Sequence, residues 1–261
     1  RQVILGLTLL GCNPGPEKAG VAVSEENKGT YLDHTLPLEE RIADLLDRLT
    51  PEEKMAQLRY DAPAIPRLNI PAYNWWGEAL HGVARWGRAT VFPQPIGMAA
   101  TFDSVLIGEV ASAISDEARV KYREALRTGN IARYSSLTFW SPNINIFRDP
   151  RWGRGMETWG EDPFLTGTLG SAFVRGLQGD DPYYYKAVAC AKHYGVHSGP
   201  EGLRHEFNAR PPEKDFYETY LPAFEKLVKE AKVGGVMCAY NRTYDEPCCG
   251  SSFLLQDILS L

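Results

Sequence analysis

The chain has 261 residues, 44% hydrophobic and 23% charged, with a formal net charge of −5 at pH 7. Those proportions exclude a disordered or fibrous chain, and the acidic balance argues against a nucleic-acid partner, which calls for a basic face. The length fits one α/β barrel as well as two small domains. All six Trp fall between Trp75 and Trp159, a clustering that marks either a core or a ligand wall.

The chain begins with the apolar stretch Val3–Leu10, then Gly11 and Cys12, and then the polar, Pro-rich residues Asn13–Lys28. That order resembles the end of a bacterial lipoprotein signal peptide, in which the Cys is lipidated and becomes the mature N-terminus. The apolar stretch is too short to span a bilayer, which needs ~20 residues. The reading is a truncated signal segment over 1–12 with lipidation and a lipid anchor at Cys12, a linker over 13–35, and one domain over 36–261. It implies export, as a periplasmic or cell-surface lipoprotein. The five cysteines lack paired C-x-x-C spacing, and Cys190 and Cys238, set in apolar runs, read as small buried hydrophobes.

Helical signals follow. Ile42, Leu45, Leu46 and Leu49 share one helix face. Thr50-Pro51-Glu52-Glu53 predicts a new helix with a capping box. Asp103 predicts a cap for a third, with Leu106, Val110 and Ile114 inward. Asp162-Pro163 opens a fourth, with Leu165, Leu169, Phe173 and Leu177 inward and Gly179 as its stop. A fifth runs from about Asp215 to Lys232, kinked at Pro222. Between them, Ala72–Trp76, Leu137–Trp140, Ala187–Ala191 and Val233–Ala239 are continuous apolar runs, as expected of parallel strands covered on both faces. The alternation is an α/β signature. Polar, Gly-rich segments follow each run, where a barrel carries its active site.

Four motifs fall on those strand ends: Trp76-Gly77-Glu78-Ala79-Leu80-His81-Gly82, Arg148-Asp149-Pro150-Arg151-Trp152-Gly153-Arg154, Lys192-His193-Tyr194-Gly195-Val196-His197 and Met237-Cys238-Ala239-Tyr240-Asn241. In this order and spacing they resemble the first domain of glycoside hydrolase family 3. Gly160-Glu161-Asp162-Pro163, Arg204-His205-Glu206-Phe207-Asn208-Ala209 and Pro247-Cys248-Cys249-Gly250 are similar to the family's β-xylosidase-type branch. The resemblance implies an incomplete TIM-type (β/α)8 barrel, about its first half, and no cofactor.

A sugar ring presents hydroxyls that donate and accept, and apolar C–H faces, so its site needs carboxylates, fixed cations and an aromatic wall. The resemblance gives these roles to Glu78, Arg154, Lys192 and His193, which hold the non-reducing-end sugar, to Tyr240 near the reacting carbon, and to Trp140 in the wall. His193 can donate through one ring nitrogen. Arg154 can instead be an ion-pair partner of Asp149, Glu157 or Glu161, and Arg151 is read as structural. Trp152 and Trp159 are expected to pack, and Trp75, Trp76 or Trp140 to touch sugar. His193 and His197 stand i, i+4, but Gly195 and Gly199 argue against helical presentation of a metal pair, and no metal is expected.

A retaining glycosidase needs two carboxyl groups ~5–5.5 Å apart. In the family, the nucleophilic Asp ends the strand after the Met-x-x-Tyr-Asn strand and its helix, and the acid/base Glu comes from a C-terminal domain. Asp245 and Asp257 match neither context, so no catalytic residue is expected in this fragment and both carboxylates are expected beyond Leu261, in the remainder of the same chain. A branch that uses a loop His near His205 would need an Asp where Leu203 stands. The resemblance therefore implies a retaining exo-β-glycosidase whose partner is an oligosaccharide or aryl β-glycoside, with β-xylosidase favoured over β-glucosidase because Glu78 and Trp140 crowd the space of a glucose C6 group. A non-catalytic sugar-binding module is the reading from another class. The fragment by itself is expected to be inactive and poorly stable, with open strand edges and an uncovered Leu254, Leu255 and Ile258 face.

Overall fold

The computed structural model describes residues 29–260, and these divide into two compact units between Lys54 and Met55. The apolar N-terminal run, Cys12 and most of the linker lie outside the described residues. In the first unit a 3-10 turn (Thr30–Leu32) is tied to helix α1 (Leu38–Arg48). The Tyr31 N–H donates to the Asp44 carboxylate at 3.0 Å, and Arg41 Nε donates to the Tyr31 carbonyl at 3.1 Å. The apolar stripe on α1 exists but is not buried: Ile42 and Leu46 are exposed, Leu45 and Leu49 half-buried. Helix α2 (Pro51–Gln57) begins with the expected reciprocal capping box. The Thr50 N–H donates to the Glu53 carboxylate at 2.9 Å, and the Glu53 N–H to Thr50 Oγ1 at 3.2 Å.

In the second unit β1 (Asp61–Ala62) pairs antiparallel with β2 (Tyr73–Asn74). This corrects the expectation that Ala72–Trp76 is a parallel strand. Trp75 N–H donates back to the Tyr60 carbonyl at 2.7 Å, which extends the antiparallel arrangement. The run still lies beside the main sheet, because the carbonyls of Trp76 and Gly77 accept from Tyr134 N–H (2.7 Å) and Trp140 N–H (3.0 Å).

After the short α3 (Pro95–Ala99) comes the long α4 (Ser104–Thr128), capped by the Asp103 carboxylate on the N–H groups of Val105 and Leu106, both at 3.0 Å. Its inward face is Ile107, Ala111, Ile114 and Ala118, while Leu106 is exposed and Val110 only half-buried. The expected face was therefore rotated by one residue. Val105, Leu106 and Ile107 are all apolar, so periodicity alone leaves the register open; the approach of α5 (Pro163–Gln178) decides it. A Cβ on Gly176 would run into the Gly108 carbonyl oxygen, so glycine lets the two helices close to backbone contact. α5 itself follows the sequence, with Asp162 capping Leu165 N–H at 2.6 Å and Leu169, Phe173 and Leu177 buried.

The central sheet has three parallel strands: β3 (Thr138–Phe139), β4 (Val188–Tyr194) and β6 (Gly235–Cys238), in the order β3-β4-β6. β4 is buried on both sides, as its continuous apolar run requires. β5 (Asn208–Ala209), β7 (Arg242–Thr243) and β8 (Glu246–Pro247) form a small second sheet at the strand ends. Between β5 and β6 the chain forms α6 (Glu213–Asp215), a π turn (Phe216–Tyr220) and α7 (Pro222–Lys229). The break expected at Pro222 takes the form of that π turn, in which Leu221 N–H donates to the Phe216 carbonyl at 3.1 Å. The last turn, Phe253–Ile258, is better covered than expected. Leu254 is fully buried, its carbonyl accepts from the Tyr194 hydroxyl at 3.1 Å, and Leu255 and Ile258 pack partly against the core. The second unit thus forms a partial α/β barrel with an open sheet whose edge strand, β6, is half-buried.

Candidate active site

The functional side chains gather at the carboxyl ends of β3, β4 and β6, as a parallel α/β sheet dictates. Lys192 comes from β4 and its side chain is 3% exposed. Charge this deep needs a partner, and Glu78, in the loop after β2, supplies it: Lys192 Nζ lies 2.6 Å from Glu78 Oε2. The other carboxylate oxygen accepts from Ala79 N–H at 3.1 Å and from the Ser141 hydroxyl. Gly77 is needed beside it, since a Cβ there would strike the Thr138 carbonyl and push the loop off β3. Glu78 is therefore fixed in orientation yet remains 24% exposed, so its free lone pairs face the opening.

Arg154 is bound by Glu157 through two hydrogen bonds, Nε to Oε1 at 2.7 Å and Nη2 to Oε2. The ion-pair partner among the three candidates is thus Glu157. Arg154 also donates from Nη1 to His193 Nε2 at 3.0 Å. The Asn145 amide fixes the other side of that ring: its Nδ2 donates to the His193 carbonyl at 2.9 Å, which turns Oδ1 toward His193 N–H (2.9 Å) and Nδ1 (3.0 Å). His193 consequently carries its proton on Nδ1 and accepts at Nε2. Burial, and then the neighbouring His197, Lys192 and Arg154, push its pKa well below the ordinary imidazole value. Both ring nitrogens are committed, so the expected donation from His193 to a sugar hydroxyl is not made in this arrangement. The ring instead orients Arg154.

His197 stacks 4.4 Å from His193, ring centre to ring centre. Asn241 donates through Nδ2 to the Val196 and Arg242 carbonyls (2.8 and 2.9 Å), leaving its Oδ1 to accept from His197 Nδ1 at 2.8 Å. Burial lowers the His197 pKa to about 4, against the opposing bond to Asn241. Both ring nitrogens of His193 and Nδ1 of His197 face amides or a guanidinium, while His197 Nε2 is buried without a partner; no cluster able to hold a metal occurs among the described residues.

Tyr240, 44% exposed, stands over His193, His197 and His205 at 5.7, 5.8 and 5.1 Å. The strand end that carries it is tied by a disulfide between Cys238 and Cys249. Cys238 is therefore not the lone buried hydrophobe expected of it, while Cys190 is free and buried. On the opposite side Trp140 is half-buried, donating from Nε1 to the Trp75 carbonyl at 2.7 Å, and Trp76 lies 6.5 Å from it. Trp152 and Trp159 are buried, as expected of packing residues. Arg151 pairs with Asp149 at 2.8 Å with its side chain largely exposed, which leaves it little structural weight.

All six expected site residues thus lie around one set of strand ends. The sequence offered Glu157 as one of three partners for Arg154 and weighed His197 only as a metal ligand; it gave no role to Ser141, Asn145 and Asn241, which with those two orient the site. The alternation Ser141-x-Asn143-x-Asn145 after β3 was the available signal, since alternate residues of an extended segment share a face. Asp245, by contrast, is exposed and held by Asn208 and Arg210.

The chain has known relatives. The chain is 53% identical over 233 residues to a xylan 1,4-β-xylosidase of Xylanibacter ruminicola, covering 88% of this chain and 27% of that protein. It is 47% identical to a probable β-D-xylosidase 7 of Arabidopsis thaliana, over 84% of this chain and 30% of the relative. Among solved structures it is similar to a GH3 exo-β-xylosidase in complex with a xylobiose aziridine activity-based probe (TM-score 0.80, 35% identity, 92% of this chain and 32% of that one). A Bifidobacterium adolescentis GH3 β-glucosidase is more distant, with a TM-score of 0.70 and 28% identity over 82% of this chain and 30% of that one. The chain spans about a third of the length of these proteins. The model of the glycosyl hydrolase family 3 N terminal domain matches residues 41–260, the stretch that carries every group of the site, and the chain belongs to that family.

Proposed function

We propose that the protein carrying this chain is a retaining exo-β-xylosidase that releases single xylose units from the non-reducing ends of xylo-oligosaccharides and aryl β-xylosides. In this reading Glu78, Arg154, Lys192, Tyr240 and Trp140 hold the terminal sugar, with His193 setting Arg154. The observation that carries the reading is the fixed carboxylate of Glu78, held by Lys192, Ser141 and Ala79 N–H, which can accept from two adjacent sugar hydroxyls. Glu78 and Glu157 are both engaged with cations. The nucleophilic Asp and the acid/base Glu are therefore proposed to come from sequence following residue 261, at the ~5–5.5 Å separation of a retaining pair. The xylosidase names of the relatives support xylose over glucose. In the same proposal Glu78 and Trp140 occupy the space of a glucose C6 group, where a misfit of methylene size costs ~1–3 kcal/mol, about 10- to 200-fold in rate.

The test is kcat/KM of the full-length protein on aryl β-xyloside and aryl β-glucoside. A preference for xyloside of at least about tenfold is expected; faster hydrolysis of the glucoside refutes the pocket argument and favours a β-glucosidase. Export with lipidation at Cys12 belongs to the same proposal, resting on the apolar run before Cys12. Lipid labelling of the expressed protein that survives Cys12→Ala would refute it.

A further inference from the structure

Outside the group around Glu78 lies an aromatic rim with one unusual cation. Trp75, Trp76 and Tyr60 are 42%, 38% and 37% exposed. Arg133 lies over the rings of Tyr60 (4.9 Å) and Trp76 (4.5 Å) and donates from Nη2 to the Tyr60 hydroxyl at 2.7 Å. Trp76 stands two residues before Glu78 and faces Trp140, so this rim borders the opening of the pocket. A second guanidinium, Arg85, lies over Tyr134, the neighbour of Arg133, at 5.5 Å. Neither arginine makes an ion pair with a carboxylate among the described residues. The acid next to Tyr60, Asp61, is taken by Arg59 at 2.8 Å.

Arginine on a protein surface commonly meets an acid of its own chain. Here a guanidinium lies 4.9 and 4.5 Å from the centres of two rings that meet edge-to-face at 81°, and among the described residues its side chain makes no hydrogen bond besides that to the Tyr60 hydroxyl. A planar fork of that kind matches a carboxylate by two parallel hydrogen bonds, and the exposed indole faces match the C–H faces of a sugar. An exo-acting pocket admits one terminal sugar, so the next sugar of the chain must pass over its rim. We propose that Arg133 forms an outer subsite for a sugar carboxylate, a uronic acid branch carried by the second sugar of the oligosaccharide. This rests on the β-xylosidase reading and adds to it a substrate class, acidic xylo-oligosaccharides.

The test uses the full-length protein and two substrates: xylotriose, and xylotriose bearing a glucuronic acid branch on its second xylose. Arg133→Gln is expected to lower kcat/KM for the acidic substrate about tenfold, as loss of a charge-assisted contact implies, and to change that for xylotriose and aryl β-xyloside less than about twofold. Arg133→Lys keeps the charge without the fork and should fall between. In the unmodified protein, raising salt from about 20 mM to about 500 mM should weaken only the acidic substrate, a contrast that needs no variant. An equal fall on both substrates makes Arg133 a mere support of the rings and overturns the proposal. So does an unmodified protein with no preference for the acidic substrate. Aryl β-xyloside hydrolysis checks the catalytic reading separately: a protein that binds the acidic oligosaccharide more tightly than xylotriose by calorimetry, yet hydrolyses neither, sustains the subsite and refutes the xylosidase.

Discussion

Replacing Lys192 by Met removes the only cation on Glu78 that the described residues show, while keeping the length of the side chain. At 2.6 Å and an effective dielectric of ~20, the gross attraction is about 6 kcal/mol. Part of it is offset by the desolvation of Lys192, which is almost fully buried, and part is screened because Glu78 reaches the opening. Removing one partner of a buried pair costs ~3–5 kcal/mol, and the exposure of Glu78 places this one at the lower limit, about 3 kcal/mol of stability. For binding, the loss of one charge-assisted bond, ~1.5–3 kcal/mol, predicts a fall in kcat/KM of about 10- to 150-fold. The informative experiment is the cycle of Lys192→Met, Glu78→Gln and the double variant in the full-length protein. It is followed by denaturant unfolding and by aryl β-xyloside kinetics. Glu78→Gln alone leaves a buried, unpaired ammonium, so the double variant should be little worse than either single one, with a coupling of about 2 kcal/mol or more. Strict additivity in both measurements would show that the pair carries neither stability nor substrate orientation, and the account of the pocket would fall.

Three further expectations follow from particular contacts. His197 takes its proton near 6.5 when unfolded but only at about 4 when folded. The unfolded chain therefore binds more protons between these values, and stability is full above pH 6.5 and is lost as pH falls toward 4, by up to about 3 kcal/mol; urea unfolding across that range should show a shallower loss in His197→Gln. Gly176→Ala places a methyl against the Gly108 carbonyl and the Ala111 side chain, and should cost about 1–3 kcal/mol by the same measurement, whereas an unchanged midpoint would mean that α4 and α5 can slide apart freely. Arg151→Ala should leave both Tm and kcat/KM unchanged, since its pair with Asp149 is exposed; a loss of activity at unchanged Tm would give Arg151 a place in the site.

What the sequence determined by itself is what depends on neighbours in the chain. The capping residues Thr50, Asp103 and Asp162, the break at Pro222 and the stop at Gly179 are local hydrogen-bond and dihedral effects, and each is present in the fold. The motif residues Glu78, Arg154, Lys192 and Tyr240 were legible because a parallel strand delivers its carboxyl end to one side of the sheet, whatever packs around it. Tertiary structure decided the rest. Three consecutive apolar residues left the inward face of α4 open until Gly176 let α5 close on its backbone. Ala72–Trp76 has the composition of a buried strand, but its partner, β1, lies on the near side in sequence and runs antiparallel. Cys238 found Cys249 across a turn that spacing alone does not define. The role of His193 depended on Asn145, 48 residues away: an imidazole donates or accepts according to which nitrogen its neighbours claim, and only the folded chain brings those neighbours together.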